Sequence, residues 1–269
     1  MPRKKRAAVV VVAMNRRTGS RSDRAKRAKF EALLSELSSA FTGVAPAVVD
    51  AEIERWLGRL VEFLGVDRIS VAQMSPDEGS LTLTHSSSVE GVPPFPTVVL
   101  NTHYPWWVEQ VRHGRMIRLE RALEDLPSGA LAERERVKRT GLKSHLALPL
   151  TVAGAPVGVL AIACFRAHHA WPDDLVKRIG LVAHVFANAL ARKRAAQMMD
   201  ERLAFEELLA DLSTAFTGVA SAQVDAEIER WLRRLVEFLD VDTAGLVHMS
   251  PDEKALELTH SYAVEGVPP

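Results

Sequence analysis

An internal repeat constrains this chain more than any other feature. Residues 30–94 recur as residues 205–269 at a fixed offset of 175, with 46 of 65 positions identical. The shared runs include AFTGVA, DAEIERWL, RLVEFL, MSPDE, LTHS and EGVPP. Self-similarity over such a length marks two copies of one structural unit, so the second copy must begin whatever the first one builds. It stops at Pro269, with no counterpart of residues 95–204, and is therefore expected to be the opening part of a domain in a fragment of a longer protein. Lacking the strands that would cover its sheet, it is expected to be protease-sensitive and prone to association.

Between the copies the sequence predicts a joining helix. It opens after Trp171-Pro172 with Asp173 and Asp174 in the first turn, where the helix dipole favours acids. Leu175, Ile179, Val182, Phe186 and Ala189 then fall on one stripe. A second stripe, Ala195, Met198, Phe205, Leu209, Leu212 and Phe216, follows one residue out of phase. That pattern predicts one continuous or gently broken helix whose halves present different faces.

The first copy opens with a short amphipathic helix through Phe30, Leu34, Leu37 and Phe41. A clearer one spans 50–64, with Ile53, Leu57 and Leu60 on its apolar side and Gly65 as its stop; Asp240 at the equivalent place is a weaker cap. From Arg68 the period becomes two, and Ile69–Ala72 and Leu81–His85 predict an antiparallel hairpin. A short strand at 97–100, a helical turn opened by Pro105, a strand at 116–119 and a charged helix closed by Gly141 follow. The segments 145–150 and 156–165 flank the turn Ala153-Gly154-Ala155. The second of these is apolar on both faces, as a central strand should be, and Pro149 requires a bulge or an unpaired edge position in the first. The fold class is α+β: one antiparallel sheet with long helices on one face and crossing loops with small helices on the other.

Charge is balanced overall but unevenly placed: residues 1–30 carry +10 and the remainder −10. An acidic folded part excludes a nucleic-acid surface there. Arg3–Arg6 and the apolar run Ala7–Met14 resemble the start of an export signal, yet the run is too short to span a bilayer and Asn15-Arg16-Arg17 stands where cleavage would occur. Residues 1–29 are accordingly taken as a disordered basic tail, with no membrane association. The single cysteine, Cys164, suits a reducing compartment, the cytoplasm.

FEALLSELSSAF, the passage DAEIERWL…RLVEFLGVDR, GLKSHLALPLTVAGAPVGVLAIACF and the exit AWPDDLVKRIGLVAHVFANALARKRA resemble a GAF domain, of the subtype found in bacterial sensor histidine kinases and formate-hydrogenlyase-type transcriptional activators. The resemblance divides the chain into a GAF-like domain at 30–192, a connecting helix at 193–204 and the first part of a second domain at 205–269. It implies a sensory module, a homodimer through its terminal helices, that passes the binding of a small molecule or partner to an output domain.

No catalytic constellation is visible, so the segment is not expected to be an enzyme, and no cofactor is expected. Cys164 lies among apolar neighbours and is expected to be a buried structural thiol, which disfavours both thiol redox chemistry and covalent attachment of a bilin. His168, His169, Asp173 and Asp174 form the densest group of metal-ligand types, but the acids already serve a helix start, and no metal is expected. Glycine-rich phosphate loops are absent. His85 and its mate His260, at a strand's outer end, are expected to be hydrogen-bonded structural residues. In the fold that the resemblance implies, a ligand sits between the sheet and the crossing segments, which places Trp106, Trp107, Ser144 and His145 together as the candidate ligand-binding residues. That quartet has no charged anchor, and the alternative is a structural dimerisation module whose tryptophans plug the sheet.

Overall fold

A computed structural model describes residues 21–267 apart from 76, 78, 94 and 251–254. The basic segment and the apolar run Ala7–Met14 lie outside the described residues. The chain forms two compact units that divide between Ala195 and Ala196.

In the first unit, helix α1 (Arg21–Phe41) begins nine residues before Phe30, within the stretch expected to be tail. It buries Phe30, Leu33, Leu37 and Phe41. Helix α2 (Val49–Leu64) buries Val49, Ile53, Trp56, Leu57, Leu60 and Val61, and Gly65 closes it in the left-handed region at φ 63°, where a side chain would be strained. Six strands follow: β1 (Arg68–Met74), β2 (Leu81–Ser88), β3 (Val98–Val99), β4 (Ile117–Leu119), β5 (Ser144–Val152) and β6 (Ala155–Cys164). They form one antiparallel sheet in the order β3-β2-β1-β6-β5-β4, with the apolar β6 at its centre. Pro149 pairs with Val159 but lies beyond the end of β4, where β5 has no other neighbour, and the strand's irregularity comes between Leu150 and Thr151.

Period-two alternation gives the sheet two faces with different contents. Leu160, Ile162 and Cys164 of β6 join Leu146, Leu148 and Leu150 of β5 under α1, α2 and helix α6 (Asp173–Phe216). The intervening residues Val159 and Ala163, with Ala147, face helices α3 (Pro105–Arg112), α4 (Ala122–Asp125) and α5 (Leu131–Thr140). Fully burying a Leu- or Phe-sized side chain contributes about 1.5–3 kcal/mol, and Leu37, Ile53, Trp56, Leu57, Leu146, Leu150, Trp171 and Phe186 all reach that state on the long-helix face. That face is the mechanical base.

One irregularity re-aims the second strand. Val71 pairs with His85 but Ala72 pairs with Leu83, so Thr84 is the extra residue of a bulge. Leu81 and Leu83 therefore share the face of Ala72 and Met74, while His85 turns to the long-helix face with Val71. Strict alternation would have put His85 beside Leu83.

Within the first unit α6 buries Ile179, Val182, Phe186 and Ala189, the expected stripe, together with Ala183, Ala187 and Leu190. In the second unit the expected stripe is not buried: Met198, Phe205, Leu209 and Phe216 are exposed, and Leu208 is buried instead. Phe205 is 44% exposed where its counterpart Phe30 is 2% exposed, because beside the end of α6 and a 3-10 turn (Ser221–Gln223) the second unit holds only helix α7 (Val224–Leu239) and the hairpin β7 (Thr243–Met249) and β8 (Leu256–Ala263) among its described residues. Asp240 takes the left-handed cap at φ 51°, a conformation acidic residues tolerate less well than glycine. Leu246, Val247, Met249, Leu256 and Leu258 of the hairpin are exposed. The bulge recurs, with Leu246 opposite His260 and Val247 opposite Leu258.

The centre of the first sheet depends on Gly158. A Cβ there would lie 2.3 Å from the Ala72 carbonyl oxygen, a contact with backbone that only a shift of strand β6 relieves. Gly158→Ala is expected to lower the unfolding free energy by roughly 1–3 kcal/mol, whereas Gly180→Ala, in open space on α6, is expected to raise it by up to about 1 kcal/mol; urea denaturation of the two variants measures both.

Candidate functional site

The short-helix face of the first sheet does not close completely. It encloses a cavity of about 510 Å³, within the range of small-molecule sites. The floor is the sheet: Arg68 and Ser70 of β1, Leu81 and Leu83 of β2, His145 and Ala147 of β5, and Val159, Ala161 and Ala163 of β6. The roof comes from α3 and α5, with Trp107, Val108, Val111, Arg136 and Val137, and from the segment before β3 with Phe95.

Of the four residues singled out by sequence, Trp107 and His145 line this space. Alternation along β5 sends Ser144 to the opposite face, paired with Cys164; its hydroxyl donates to the Glu120 carbonyl at 2.6 Å and accepts from the His169 amide at 2.8 Å. Trp106, one residue round α3 from Trp107, packs partly buried against the apolar cluster of this face without lining the cavity.

Trp107 is the middle layer of a three-ring stack. Tyr104 lies 4.7 Å away at 15° and His145 lies 4.8 Å away at 21° on their respective contacts with it. A buried carboxylate holds that arrangement in place: Glu133 Oε1 accepts the Trp106 amide at 2.7 Å and the Trp107 amide at 3.4 Å, filling two of the free donors in the first turn of α3. Pro105 opens that turn with its ring already in helical φ. Trp107 Nε1, His145 Nδ1 and Arg136 Nε are buried without hydrogen-bond partners. Native interiors satisfy nearly all such groups, so three among the residues around one cavity are unusual.

The site also has the charged anchors that no sequence pattern supplied. Arg68 lies over the rings of Phe95 and Phe165, 4.8 Å from each centroid, and donates to the Pro93 carbonyl at 3.3 Å. Arg136 lies over Tyr104 at 4.6 Å and Phe95 at 5.9 Å. Neither makes an ion pair among the described residues. Burial lowers the Arg68 pKa, and the charge of Arg136 lowers it further against the opposing influence of Tyr104. Burial raises the Tyr104 hydroxyl, with Arg136 pulling it back. In sequence Arg68 is merely the first residue of a strand and Arg136 one charge on a charged helix. The one available hint is that residues 68–73 differ from 243–248 at every position, with Thr243 in place of Arg68, within an otherwise close repeat.

The remaining candidates have structural partners. His85 is 4% exposed, with Nε2 3.2 Å from Asp50 Oδ1 and Nδ1 2.8 Å from the Thr84 hydroxyl. Cys164 is buried on the long-helix face, away from the cavity lining, and burial pushes its thiol up to about 11. Asp173 pairs with Arg118 at 2.6 Å, Asp174 pairs with Arg178, and the His169 ring lies 4.5 Å from Trp171, tilted by 50°. Among the described residues no group of three metal-ligating side chains comes together.

His145 makes the site acid-sensitive. Burial, reinforced by the charge of Arg68 and opposed by the nearby Ile162 backbone, lowers its pKa to about 4, so the ring is neutral at pH 7. Unfolded, the ring takes a proton near pH 6.5 while the folded ring refuses it until about pH 4, so stability falls as pH drops through that window. The unfolding free energy of the wild type is expected to lose roughly 3 kcal/mol more than that of His145→Gln between pH 6.5 and 4, measured by denaturation at each pH.

Comparison with known proteins places this architecture. A comparison with curated proteins finds no match. Among solved structures, the phycocyanobilin-bound GAF domain of a cyanobacterial phytochrome aligns at a TM-score of 0.51 and 16% identity, covering 62% of this chain and 96% of that one. The GAF domain of a phosphoenolpyruvate-protein phosphotransferase from Coxiella burnetii aligns at a TM-score of 0.50 and 16% identity, covering 63% and 96%. No helix among the described residues is long and apolar enough to cross a membrane. The GAF domain family model matches residues 50–190, just over half of the chain, and the chain belongs to that family of sensory and regulatory modules of signalling proteins.

Proposed function

We propose that residues 30–192 form the sensory domain of a cytoplasmic signal-transduction protein, in which a small organic effector enters the cavity and α6 carries the response to an output domain of the histidine-kinase or transcription-activator kind. The observation that carries this reading is the set of buried, unpartnered polar atoms, Trp107 Nε1 and His145 Nδ1, on the wall of an open space of about 510 Å³. A purely structural plug would have filled that space and buried no such groups. The same proposal has the protein acting as a homodimer along α6, where Met199 and Leu203 stand exposed one turn apart.

A route from cavity to helix supports the relay. Leu81 and Leu83 line the cavity, and the bulge at Thr84 turns the next side chain of β2, His85, to the other face. There His85 meets Asp50 Oδ1, while Asp50 Oδ2 pairs with Lys193 of α6, and Arg192 donates to the Phe41 carbonyl at 2.6 Å. Burial pushes the Asp50 carboxyl up, but Lys193 and His85 together outweigh it and hold it below the usual range, so it stays ionised. Asp50 therefore connects the strand that borders the cavity to the helix that leaves the unit.

The bilin carried by the phytochrome domain suggests a pigment as a variant of this reading, but Cys164 is on the opposite face of the sheet and offers no attachment point. An absorption spectrum of purified protein tests for a noncovalent one.

Thermal-shift screening of the whole chain against a metabolite library is expected to find compounds that raise its melting temperature, with the shift lost in Trp107→Ala. If no compound stabilises the wild type, the dimerisation reading takes its place. For a compound so found, Asp50→Asn is expected to leave affinity within about twofold while abolishing the ligand-induced change in amide hydrogen exchange over residues 185–195; an unchanged exchange response would remove Asp50 from the relay.

A further inference from the structure

The cavity of the first unit has a chemical bias that narrows its guest. We propose that its effector is a planar organic anion, an aromatic carboxylate whose acid group lies between Arg68 and Arg136 and whose ring occupies the apolar end beside Trp107. This deepens, and rests on, the reading of the cavity as an effector site.

The lining contains two guanidinium groups and no carboxylate. Glu133, the buried acid nearest in sequence, sits three residues from Arg136 and commits Oε1 to the first turn of α3; it makes no ion pair with Arg136. Neither guanidinium therefore has a carboxylate partner among the described residues, and Glu133 Oε2 is itself buried without a hydrogen-bond partner. Two partly buried cations near one another repel, and burial already disfavours the charged form of Arg68. A bound anion removes both costs, and a carboxylate has two oxygens to offer two guanidiniums.

Aromatic faces fix where those guanidiniums point. Phe95 lies within 5.9 Å of both, while Phe165 contacts Arg68 and Tyr104 contacts Arg136. Ring contacts occupy the flat faces of a guanidinium and leave its N–H edge free to donate. Arg136 Nε is such an edge donor, buried and without a partner. His145 supplies an independent sign of a guest: it is 7% exposed, lines the cavity, and its Nδ1 has no partner.

The apolar part of the lining disfavours a sugar or a polyol. Leu83, Val111, Ile117, Leu142 and Val159 offer no hydrogen bonds, so a hydroxyl-rich guest would lose its water without compensation. A flat apolar ring suits these walls, with the Trp107 indole N–H left for one polar substituent. The anchor belongs to the first copy alone, since Thr243 and Gly245 replace Arg68 and Ser70 in the second.

The test is calorimetric titration of the whole chain with benzoate, cinnamate and indole-3-acetate, each against its neutral amide. At least one acid is expected to bind about tenfold or more tightly than its amide. Arg136→Met and Arg68→Met are each expected to weaken that acid by roughly 10- to 100-fold while leaving the amide unchanged. If a Met variant loses its fold by circular dichroism, the Lys variant at that position replaces it, with an expected loss of about tenfold because the fork is gone and the charge remains. Acids and amides that bind alike and fail together in Trp107→Ala would overturn the anion and leave the effector site standing. Acids that do not bind at millimolar concentration would also overturn the anion, and the metabolite screen would then decide separately whether the cavity takes any ligand.

Discussion

The antiparallel contact between β1 and β6 is the constraint on which the rest of the first unit depends. Gly158 lets the two strands approach at Ala72, and their pairing sets the register that sends alternate side chains to opposite faces. One face becomes the rigid base under α1, α2 and α6; the other becomes the floor of the cavity. A slip of one residue would exchange these sets, placing Leu160, Ile162 and Cys164 under the short helices and Val159, Ala161 and Ala163 under the long ones. The cavity floor and the surface under α6 are thus two sides of a single layer. Mechanical communication between them needs only a strand that touches both.

Acidic side chains do much of the stitching around that layer. Asp67 Oδ2 accepts the Phe165 and Arg166 amides at 2.6 and 2.9 Å, tying the entry of β1 to the end of β6. Glu133 serves α3 in the same way, and Asp50 joins His85 to Lys193. Each carboxylate is placed where backbone or cationic donors would otherwise be left open. All three join segments that are distant in the chain.

Local pattern made the frame legible and left the site half hidden. The stripe on α2 with its glycine stop, the apolar run of β6 and the proline-opened turn at Trp106 each declare their element through a single short window. Trp107 and His145 were found because aromatic and polar residues at the expected places in such an element are visible one at a time. Ser144 was misplaced by one step of alternation, and Trp106 by one residue of helical rotation. Arg68 and Arg136 escaped because their meeting depends on α5 crossing the sheet, a tertiary event with no local period. The bulge at Thr84 escaped for a related reason: it conforms to the alternation Leu81, Leu83, His85 in sequence and breaks it only in space.

That bulge is retained in both copies, with the Thr-His pair at 84–85 and at 259–260, and His260 lies 3.3 Å from Asp225 as His85 lies near Asp50. The strand beside it has been rewritten at six consecutive positions. The two copies therefore share the kink and its acid-imidazole clasp while differing in the strand that faces them, so the way this hairpin bends is independent of the side chains its first strand presents.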